Sequence, residues 1–364
     1  DETRRPLASN SPTATNTIGA VMFHRSSRSA TTLHSTRPEA MATTTARFSP
    51  CSTVAPTVDR WLHLHQVPPP SLQWAGAPYG SGMELNDRVV VVTGGGSGIG
   101  EALAVAARAA GARHVVVADL DGAQATRVAA LVGGTGVAVD VRDEAAIRQL
   151  VDDTLSAHGP IDLFASNAGY VTSAGLEDPN ESIQKMWEVH CMAHIYAARA
   201  VLPSMIARGE GYLLNTASAA GLLTQIGSMS YSITKAAAVS LAEWLAVTHH
   251  HQGIRVSVLC PQAVRTNIIV NSPDYQGLDP ASGELGIGGG VASGDGVLEP
   301  TDVAALCLQA IRDERFLVLP HPEVATYMER KATDRDRWLA GMRRFQSALH
   351  PDGNLPGDVI APKR

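Results

Sequence analysis

From residue 88 onward, short runs of β-branched residues alternate with longer, alanine-rich stretches. The first cycle reads RVVVVTG, EALAVAARAAGA and HVVVADL, and the alternation continues as far as IRVSVLCP. Near-continuous Val/Ile/Leu strands separated by helices are typical of a parallel sheet with helices on both faces. Because crossover connections are right-handed, the pattern predicts an α/β fold built on a doubly wound parallel sheet.

The first 82 residues lack this periodicity. They contain 22 serines and threonines, nine prolines and no lysine. Such a composition cannot bury enough apolar surface to offset the entropy of ordering, so we expect a disordered extension. A targeting peptide and a translation start at Met83 are the alternatives. We therefore divide the chain into this extension (1–82), an α/β domain (83–320) and a helical C-terminal extension (321–364).

Composition narrows the class of protein. Hydrophobic residues make up 45% of the 364 residues, which excludes a wholly disordered chain. The net charge of −6 argues against nucleic-acid binding, and no apolar run is long enough for a membrane span. The four cysteines are scattered, which predicts neither a metal site nor a disulfide framework and favours a reducing compartment, the cytoplasm.

A glycine-rich segment, TGGGSGIG at 93–100, joins the first strand to the first helix. Glycines there let the backbone approach a pyrophosphate, and the helix N-terminus offers free N–H donors. The second strand ends in Asp119, whose carboxylate would accept both ribose hydroxyls of an adenosine and repel a 2′-phosphate. NAD is therefore predicted over NADP. The predicted phosphate contacts are Gly94, Ser97, Gly98, Ile99 and Gly100.

Two further strand ends are candidate cofactor contacts. Asp140 and Val141 close the third strand and are placed to meet the adenine, although Asp140 could instead cap the following helix. Asn167, Ala168 and Gly169 follow the fourth strand, and such small residues allow a ribose to lie against the backbone. A simple loop turn is the alternative for this tripeptide.

The candidate reacting groups are Ser218, Tyr231 and Lys235. Tyr231 and Lys235 lie four residues apart and hence on one helix face. A neighbouring ammonium would stabilise the phenolate, lower the pKa of Tyr231 and fit it for general acid–base catalysis. Ser218 would hydrogen-bond the substrate oxygen. The order of these motifs predicts hydride transfer between a secondary alcohol and a nicotinamide.

In these motifs the chain resembles the short-chain dehydrogenase/reductase family over about residues 84–320, in its single-domain, NAD-preferring branch. The resemblance implies a seven-stranded Rossmann-type sheet and a homodimer or homotetramer formed through two long central helices. It also implies that Val264 and Thr266 contact the nicotinamide carboxamide. It further implies that Lys235 holds the nicotinamide ribose.

Two positions depart from the family pattern. His190 stands where the family commonly has an asparagine that supports a water relay to the lysine. It could keep that role through its backbone carbonyl, act as a proton relay, or be a tolerated packing replacement. Gln262 stands where the family usually has glycine, and we expect its side chain to face the substrate.

The substrate end of the chain is less specific. Residues 267–298 are glycine-rich, which suits a lid that orders on binding or a floppy insertion. We expect the charged amphipathic segment 322–348 to pack back on the domain or on a second subunit. It could also form a rim of the pocket, although its run of charges is explained more simply by a solvated helix face. Apolar residues between Ser218 and Tyr231 favour a fairly hydrophobic small-molecule alcohol or ketone; they are Leu222, Leu223, Ile226 and Met229.

Two other functions stay open at this stage. One is an NADPH-dependent reductase of 3-oxoacyl substrates, against which Asp119 argues. The other is a catalytically silent protein that binds or senses NAD, suggested by the departures at His190 and Gln262. Retention of the serine, tyrosine and lysine favours the enzyme.

Overall fold

Seven β-branched segments of the sequence form one parallel sheet in the computed structural model, which describes residues 82–268, 272, 291–355 and 357. The strand order is β3-β2-β1-β4-β5-β6-β7. The strands are β1 (Val89–Thr93), β2 (His114–Asp119), β3 (Thr135–Ala138), β4 (Leu163–Ser166), β5 (Gly211–Thr216), β6 (Ile254–Leu259) and β7 (Leu317–Val318). The predicted doubly wound, seven-stranded sheet is confirmed. The extension predicted for 1–82 lies almost wholly outside the described residues.

Helices connect the strands. They are α1 (Gly98–Ala109), α2 (Gly122–Val132), α3 (Glu144–His158), α4 (Asn180–Trp187), α5 (Ala193–Arg208), α6 (Ala219–Leu223), α7 (Met229–His249), α8 (Pro300–Arg312), α9 (Glu323–Thr333) and α10 (Arg335–Leu349). A π-helical turn, Glu188–Met192, joins α4 to α5. Within the described residues, no helix is long and apolar enough to cross a bilayer.

Two apolar cores lie on opposite faces of the sheet. Successive side chains of a strand point to opposite faces, so β1 sends Val89 and Val91 into one core and Val90 and Val92 into the other. All four valines are 0–1% exposed. This two-sided burial explains why the strands appear as continuous apolar runs rather than alternating ones.

The strand order reverses between β1 and β4. Both strands run parallel, with Val90 paired to Leu163, and their helices leave toward opposite faces of the sheet. A crevice opens at the carboxyl ends of strands at such a switch point, where ligands of doubly wound sheets bind. Here the crevice is a cleft of about 2100 Å³. This volume exceeds that of ordinary small-molecule pockets and leaves room for more than one ligand.

Candidate active site

The glycine-rich segment forms the floor of the cleft. Gly94 and Gly98 have positive φ angles of 61° and 55°, a conformation that disfavours other residues. A Cβ on Gly94 would lie 2.7 Å from the Cα of Ala168, and one on Gly98 would lie 3.0 Å from the Thr266 side chain. Neighbouring loops therefore crowd the glycine backbone closely, and only glycine fits at these positions.

Asp119 is held at the rim of this loop. Its carboxylate accepts hydrogen bonds from the backbone N–H of Gly96 at 2.8 Å and of Asp121 at 3.0 Å. Asp119 lines the cleft together with Leu120 and Asp121, the two residues that follow β2. Two backbone donors fix the orientation of the carboxylate, as a site that recognises a ribose needs.

Arg127, on α2, is a cleft residue that the sequence analysis missed. Its guanidinium makes a two-pronged contact with the Glu101 carboxylate at 2.8 and 2.9 Å, and it donates to the carbonyl of Gly96 at 3.0 Å. The absence of an arginine next to Asp119 in the sequence did not exclude one in space. Because Arg127 is already paired with Glu101, its charge is largely neutralised.

Asp140 lines the cleft beside Val141 and is bound by Arg142 at 2.6 Å. The hydrogen bonds from the Arg142 side chain hold the pKa of Asp140 below its usual range. The cap of α3 is Asp143, which accepts from two backbone N–H groups of the first turn. The alternative that Asp140 caps this helix is therefore wrong.

Asn167 ties three strands together. Its amide nitrogen donates to the carbonyls of Thr93 and Gly94 at 3.3 Å, and its amide oxygen accepts from the Thr216 hydroxyl at 3.0 Å. The side chain thus joins the ends of β1, β4 and β5. Its contribution to a ligand site is mainly to fix the position of Ala168 and Gly169.

Ser218, Tyr231 and Lys235 converge on one part of the cleft. All three are buried, with 2% to 8% of their surface exposed. Ser218 is the N-cap of α6, and Tyr231 and Lys235 stand on successive turns of α7. The ammonium nitrogen of Lys235 donates to the carbonyl of Thr216 at 3.0 Å and lies 5.7 Å from the centre of the Tyr231 ring.

The electrostatics differ from the sequence-based expectation. Burial raises the pKa of Tyr231, and the hydrogen bond with the Ser218 hydroxyl opposes this only in part. Burial also lowers the pKa of Lys235 to about 8. The expected lowering of the tyrosine pKa by the lysine is thus not found: burial of the phenol is the main influence on its pKa, and the ammonium of Lys235 donates to the carbonyl of Thr216.

His190 lies behind the cleft, in the π-helical turn, and is fully buried. Its Nε2 accepts from the backbone N–H of Tyr170 at 3.2 Å, so Nδ1 carries the proton and faces the Thr234 hydroxyl at 3.0 Å. Burial lowers the pKa of His190 well below its usual range. A neutral ring with both nitrogens engaged favours a supporting role over a proton relay.

The side chain of Gln262 binds Asp295, and it thereby joins the loop after β6 to the segment that precedes α8. Its side-chain amide donates to the Asp295 carboxylate at 2.7 Å, and the Tyr327 hydroxyl donates to the same carboxylate at 3.0 Å. The backbone N–H of Gln262 donates to His321 Nδ1 at 3.2 Å. His321 and Tyr327 were not singled out from the sequence, since only the fold brings them to the loop after β6.

Most of the predicted lid, 267–298, lies outside the described residues. Its described end forms a short 3-10 turn at Val291–Ser293, and Leu298 bridges to Val264. The charged C-terminal segment forms α9 and α10, and both helices line the cleft. Interpreting this segment as simply a solvated helix is therefore incomplete, because one face of it forms a wall of the site.

The cleft brings together nearly all residues singled out from the sequence. Those that line it are Gly94, Ser97, Gly98, Ile99, Asp119, Asp140, Val141, Asn167, Ala168, Gly169, Ser218, Tyr231, Lys235, Val264 and Thr266. His190 and Gly100 lie behind this surface. Gly100 packs on the backbone of Gly94, where a Cβ would approach the Gly94 carbonyl oxygen to 2.0 Å.

Comparison with known proteins identifies the family. Residues 88–276 match the model of the short chain dehydrogenase family, so the chain belongs to that family and is an oxidoreductase of the kind that uses a nicotinamide cofactor. It is 35% identical over 250 residues to a 1-deoxy-11-beta-hydroxypentalenate dehydrogenase of Streptomyces exfoliatus, covering 66% of this chain and 86% of that one. It is 34% identical over 190 residues to a meso-2,3-butanediol dehydrogenase of Serratia marcescens, covering 51% and 75%.

Among solved structures, the fold is similar to that of a short-chain dehydrogenase/reductase from Burkholderia phymatum in complex with NAD. The TM-score is 0.62 at 31% identity, covering 70% of this chain and 96% of that chain. The family membership agrees with the resemblance drawn from the motifs. It establishes the class of reaction at the level of alcohol and ketone interconversion on a small-molecule substrate.

Proposed function

We propose that the protein is an NAD(H)-dependent oxidoreductase that interconverts a secondary alcohol and its ketone. The observation that carries this proposal is the convergence of Ser218, Tyr231 and Lys235 in one buried corner of the cleft. The related proteins that are named as dehydrogenases of hydroxypentalenate and butanediol support a hydroxyl-bearing substrate.

The residues around the glycine loop fit NAD. The crowded glycines leave backbone N–H groups at the start of α1 for a pyrophosphate, and the Ser97 side chain does not cap them. The oriented carboxylate of Asp119 suits two ribose hydroxyls and repels a 2′-phosphate. Arg127 does not reverse this preference, because its guanidinium is paired with Glu101. When bound, the nicotinamide supplies the hydride chemistry.

Each reacting residue has a distinct task. In ketone reduction, the phenol of Tyr231 donates its proton to the carbonyl oxygen, and a raised pKa keeps that proton in place at neutral pH. The Ser218 hydroxyl donates a hydrogen bond to the same oxygen as negative charge develops on it. Lys235 lies beside Gly169, within reach of a ribose at the loop, and its charge favours the phenolate that remains.

His190 serves as a positioning residue. It holds the backbone of Tyr170 on one side and Thr234 of α7 on the other. Thr234 precedes Lys235 directly, so this contact sets the rotation of the helix that carries both Tyr231 and Lys235. The other contact, with the backbone N–H of Tyr170, fixes the loop that begins at Gly169.

The decisive experiment measures turnover of a panel of secondary alcohols and ketones. Each substrate is assayed once with NAD(H) and once with NADP(H), and the absorbance of the reduced nicotinamide reports the rate. We expect turnover with NADH, weak turnover with NADPH, and loss of activity in Tyr231→Phe, which removes only the hydroxyl. Binding of NAD without turnover anywhere on the panel would favour the silent, sensing protein. A preference for NADPH would favour the 3-oxoacyl type of reductase.

We also propose that the protein forms a homodimer or homotetramer. Helix α7 carries exposed apolar side chains on one face, Ile233, Trp244 and Val247. Large exposed apolar residues in one stripe are typical of a protein interface. Sedimentation should find a dimer or tetramer that dissociates in Trp244→Glu, whereas a monomeric wild type would contradict this assembly. The cytoplasmic location and the three-part division of the chain stay predictions.

A further inference from the structure

One wall of the cleft is apolar and comes from α10. Trp338, Met342, Phe345 and Leu349 line the cleft. Their spacing of four, three and four residues places them on a single face of the helix. Leu339, on another face of the same helix, is 48% exposed and does not line the cleft. The apolar face of α10 is therefore directed into the site.

This wall lies at the substrate end of the cleft. Lys331 of α9 donates to the carbonyl of Leu222 at 2.6 Å. Leu222 lies four residues after Ser218, which at a rise of 1.5 Å per residue is about 6 Å along the axis of α6. Helix α9 is also tied to the loop after β6, because Tyr327 and Gln262 share the Asp295 carboxylate. The wall is joined to α9 by the contact of the Tyr327 and Trp338 rings, whose centres lie 6.3 Å apart, and α9 in turn contacts the helix that begins at Ser218.

Arg330 adds a positive charge to this wall. Four arginines among the described residues line the cleft, and three of them pair with carboxylates: Arg127 with Glu101, Arg142 with Asp140 and Arg265 with Glu299. Arg330 has no carboxylate partner within the described part of the chain. Its guanidinium carbon lies 6.0 Å from the centre of the Tyr327 ring, at the outer limit of a cation–π contact.

The neighbouring acid does not form an ion pair with Arg330. Asp295 accepts hydrogen bonds from Gln262 and from Tyr327, the tyrosine whose ring Arg330 contacts. The planar, two-pronged guanidinium of Arg330 therefore remains available for a ligand, and its geometry matches a carboxylate.

We propose that the substrate is a bulky, largely apolar secondary alcohol or ketone that bears a carboxylate remote from the reacting carbon. The apolar face of α10 packs against its ring system, and Arg330 binds its carboxylate. This inference rests on the proposed function, since it assigns the substrate class of the same site. It goes further than the hydrophobic substrate expected from the sequence, because it adds a charged group and names the residue that recognises it.

The charge is tested with three ketones and NADH: cyclohexanone, a cyclohexanone that carries a benzoate group opposite its carbonyl, and the methyl ester of that benzoate. We expect kcat/KM for the benzoate to exceed that for the ester about tenfold, a factor worth about 1.4 kcal/mol. Arg330→Met keeps much of the apolar stem and should bring this ratio close to one. Arg343→Met, which removes an exposed arginine of α10 outside the cleft, should leave the ratio unchanged.

The apolar wall is tested by truncation. Trp338→Ala should lower the ratio of kcat/KM for the ester to kcat/KM for cyclohexanone about tenfold, because the ring system of the ester loses its packing surface. Leu339→Ala removes apolar surface from the same helix outside the cleft and should leave this ratio unchanged. An equal effect of both variants would mean that α10 acts only through general stability.

Binding separates this inference from the proposed function. Calorimetry on the wild type and Arg330→Met, each saturated with NAD, measures affinity for the benzoate and its ester without turnover. A weaker benzoate affinity in Arg330→Met supports the site even if no ketone is reduced, which would refute only the proposed function. Equal affinities for benzoate and ester in the wild type, or a ratio that survives Arg330→Met, would overturn the inference.

Discussion

Lys235 reduces the stability of the fold that it serves. Its side chain is 2% exposed, and its ammonium donates a hydrogen bond to the carbonyl of Thr216. Burial lowers the pKa of Lys235 from 10.5 to about 8. Since one pKa unit corresponds to about 1.4 kcal/mol, keeping this group charged in the folded state costs on the order of 3 kcal/mol.

The cost has a defined pH window. Below pH about 8, Lys235 is charged in both the folded and the unfolded chain, and the full cost of burying its charge is present. Between about 8 and 10.5 the unfolded chain keeps the proton that the folded chain has lost, so the free energy of unfolding rises with pH. Above 10.5 the amine is neutral in both states, and the penalty has disappeared.

We therefore expect Lys235→Met to be inactive yet more stable than the wild type at neutral pH, by about 2 to 3 kcal/mol. The gain should shrink as the pH rises through the window set by Lys235. Urea unfolding followed by tryptophan fluorescence at a series of pH values measures both effects. Lys185→Met, which removes an exposed lysine, is the matched control and should show no such trend.

Two results would refute this reasoning. A Lys235→Met protein that is less stable at neutral pH would show that the contact with Thr216 outweighs the desolvation of the ammonium. A gain that stays constant across the pH series would show that packing of the methionine, rather than ionisation of the lysine, changes the stability.

Three further predictions concern the cofactor, the histidine and the pH dependence. Asp119→Ser should raise the ratio of kcat/KM with NADPH to kcat/KM with NADH by on the order of tenfold to a hundredfold, because it removes a negative charge that repels the 2′-phosphate of NADPH. Asp121→Ser, which keeps a residue able to cap α2, is the control. His190→Phe should lose about 1 to 3 kcal/mol of stability because the buried ring can no longer hydrogen-bond the backbone of Tyr170 and the Thr234 hydroxyl, whereas His190→Asn retains more. A neutral His190 also predicts that His190→Asn leaves the shape of the pH–rate profile unchanged, and a lost inflection would restore the proton relay. Because the pKa of Tyr231 is raised, alcohol oxidation should accelerate from neutral into alkaline pH while ketone reduction stays level near neutrality; a falling oxidation rate would contradict this.

The strands and the glycine loop could be predicted from the sequence because their signals are local. The run VVVVT is apolar at every position and is followed at once by glycines, so both β1 and its turn follow from neighbouring residues. Asp119 could be placed on the same grounds, as the last residue of the next strand. The order of Ser218, Tyr231 and Lys235 likewise required only the spacing within one helix and one strand end.

What could not be predicted depends on contacts between distant segments. Arg127 reaches Glu101 and the glycine loop only because α2 packs beside α1. The pKa of Tyr231 depends on how completely the phenol is buried, and no sequence pattern reports this quantity. The face of α10 could be recognised as apolar, yet its direction toward the cleft follows from the contact between Lys331 and Leu222.

The apolar wall has a consequence for how this enzyme could diversify. The reacting residues and the cofactor loop lie within the segment that matches the family model, 88–276, whereas α9 and α10 follow it in the chain. With the substrate recognition proposed for α9 and α10, chemistry and selectivity are encoded in separate, consecutive stretches of the chain. Exchange of the C-terminal helices alone could retarget the enzyme, and a chimera that carries another family member's last two helices should adopt that donor's substrate preference while keeping this chain's choice of cofactor.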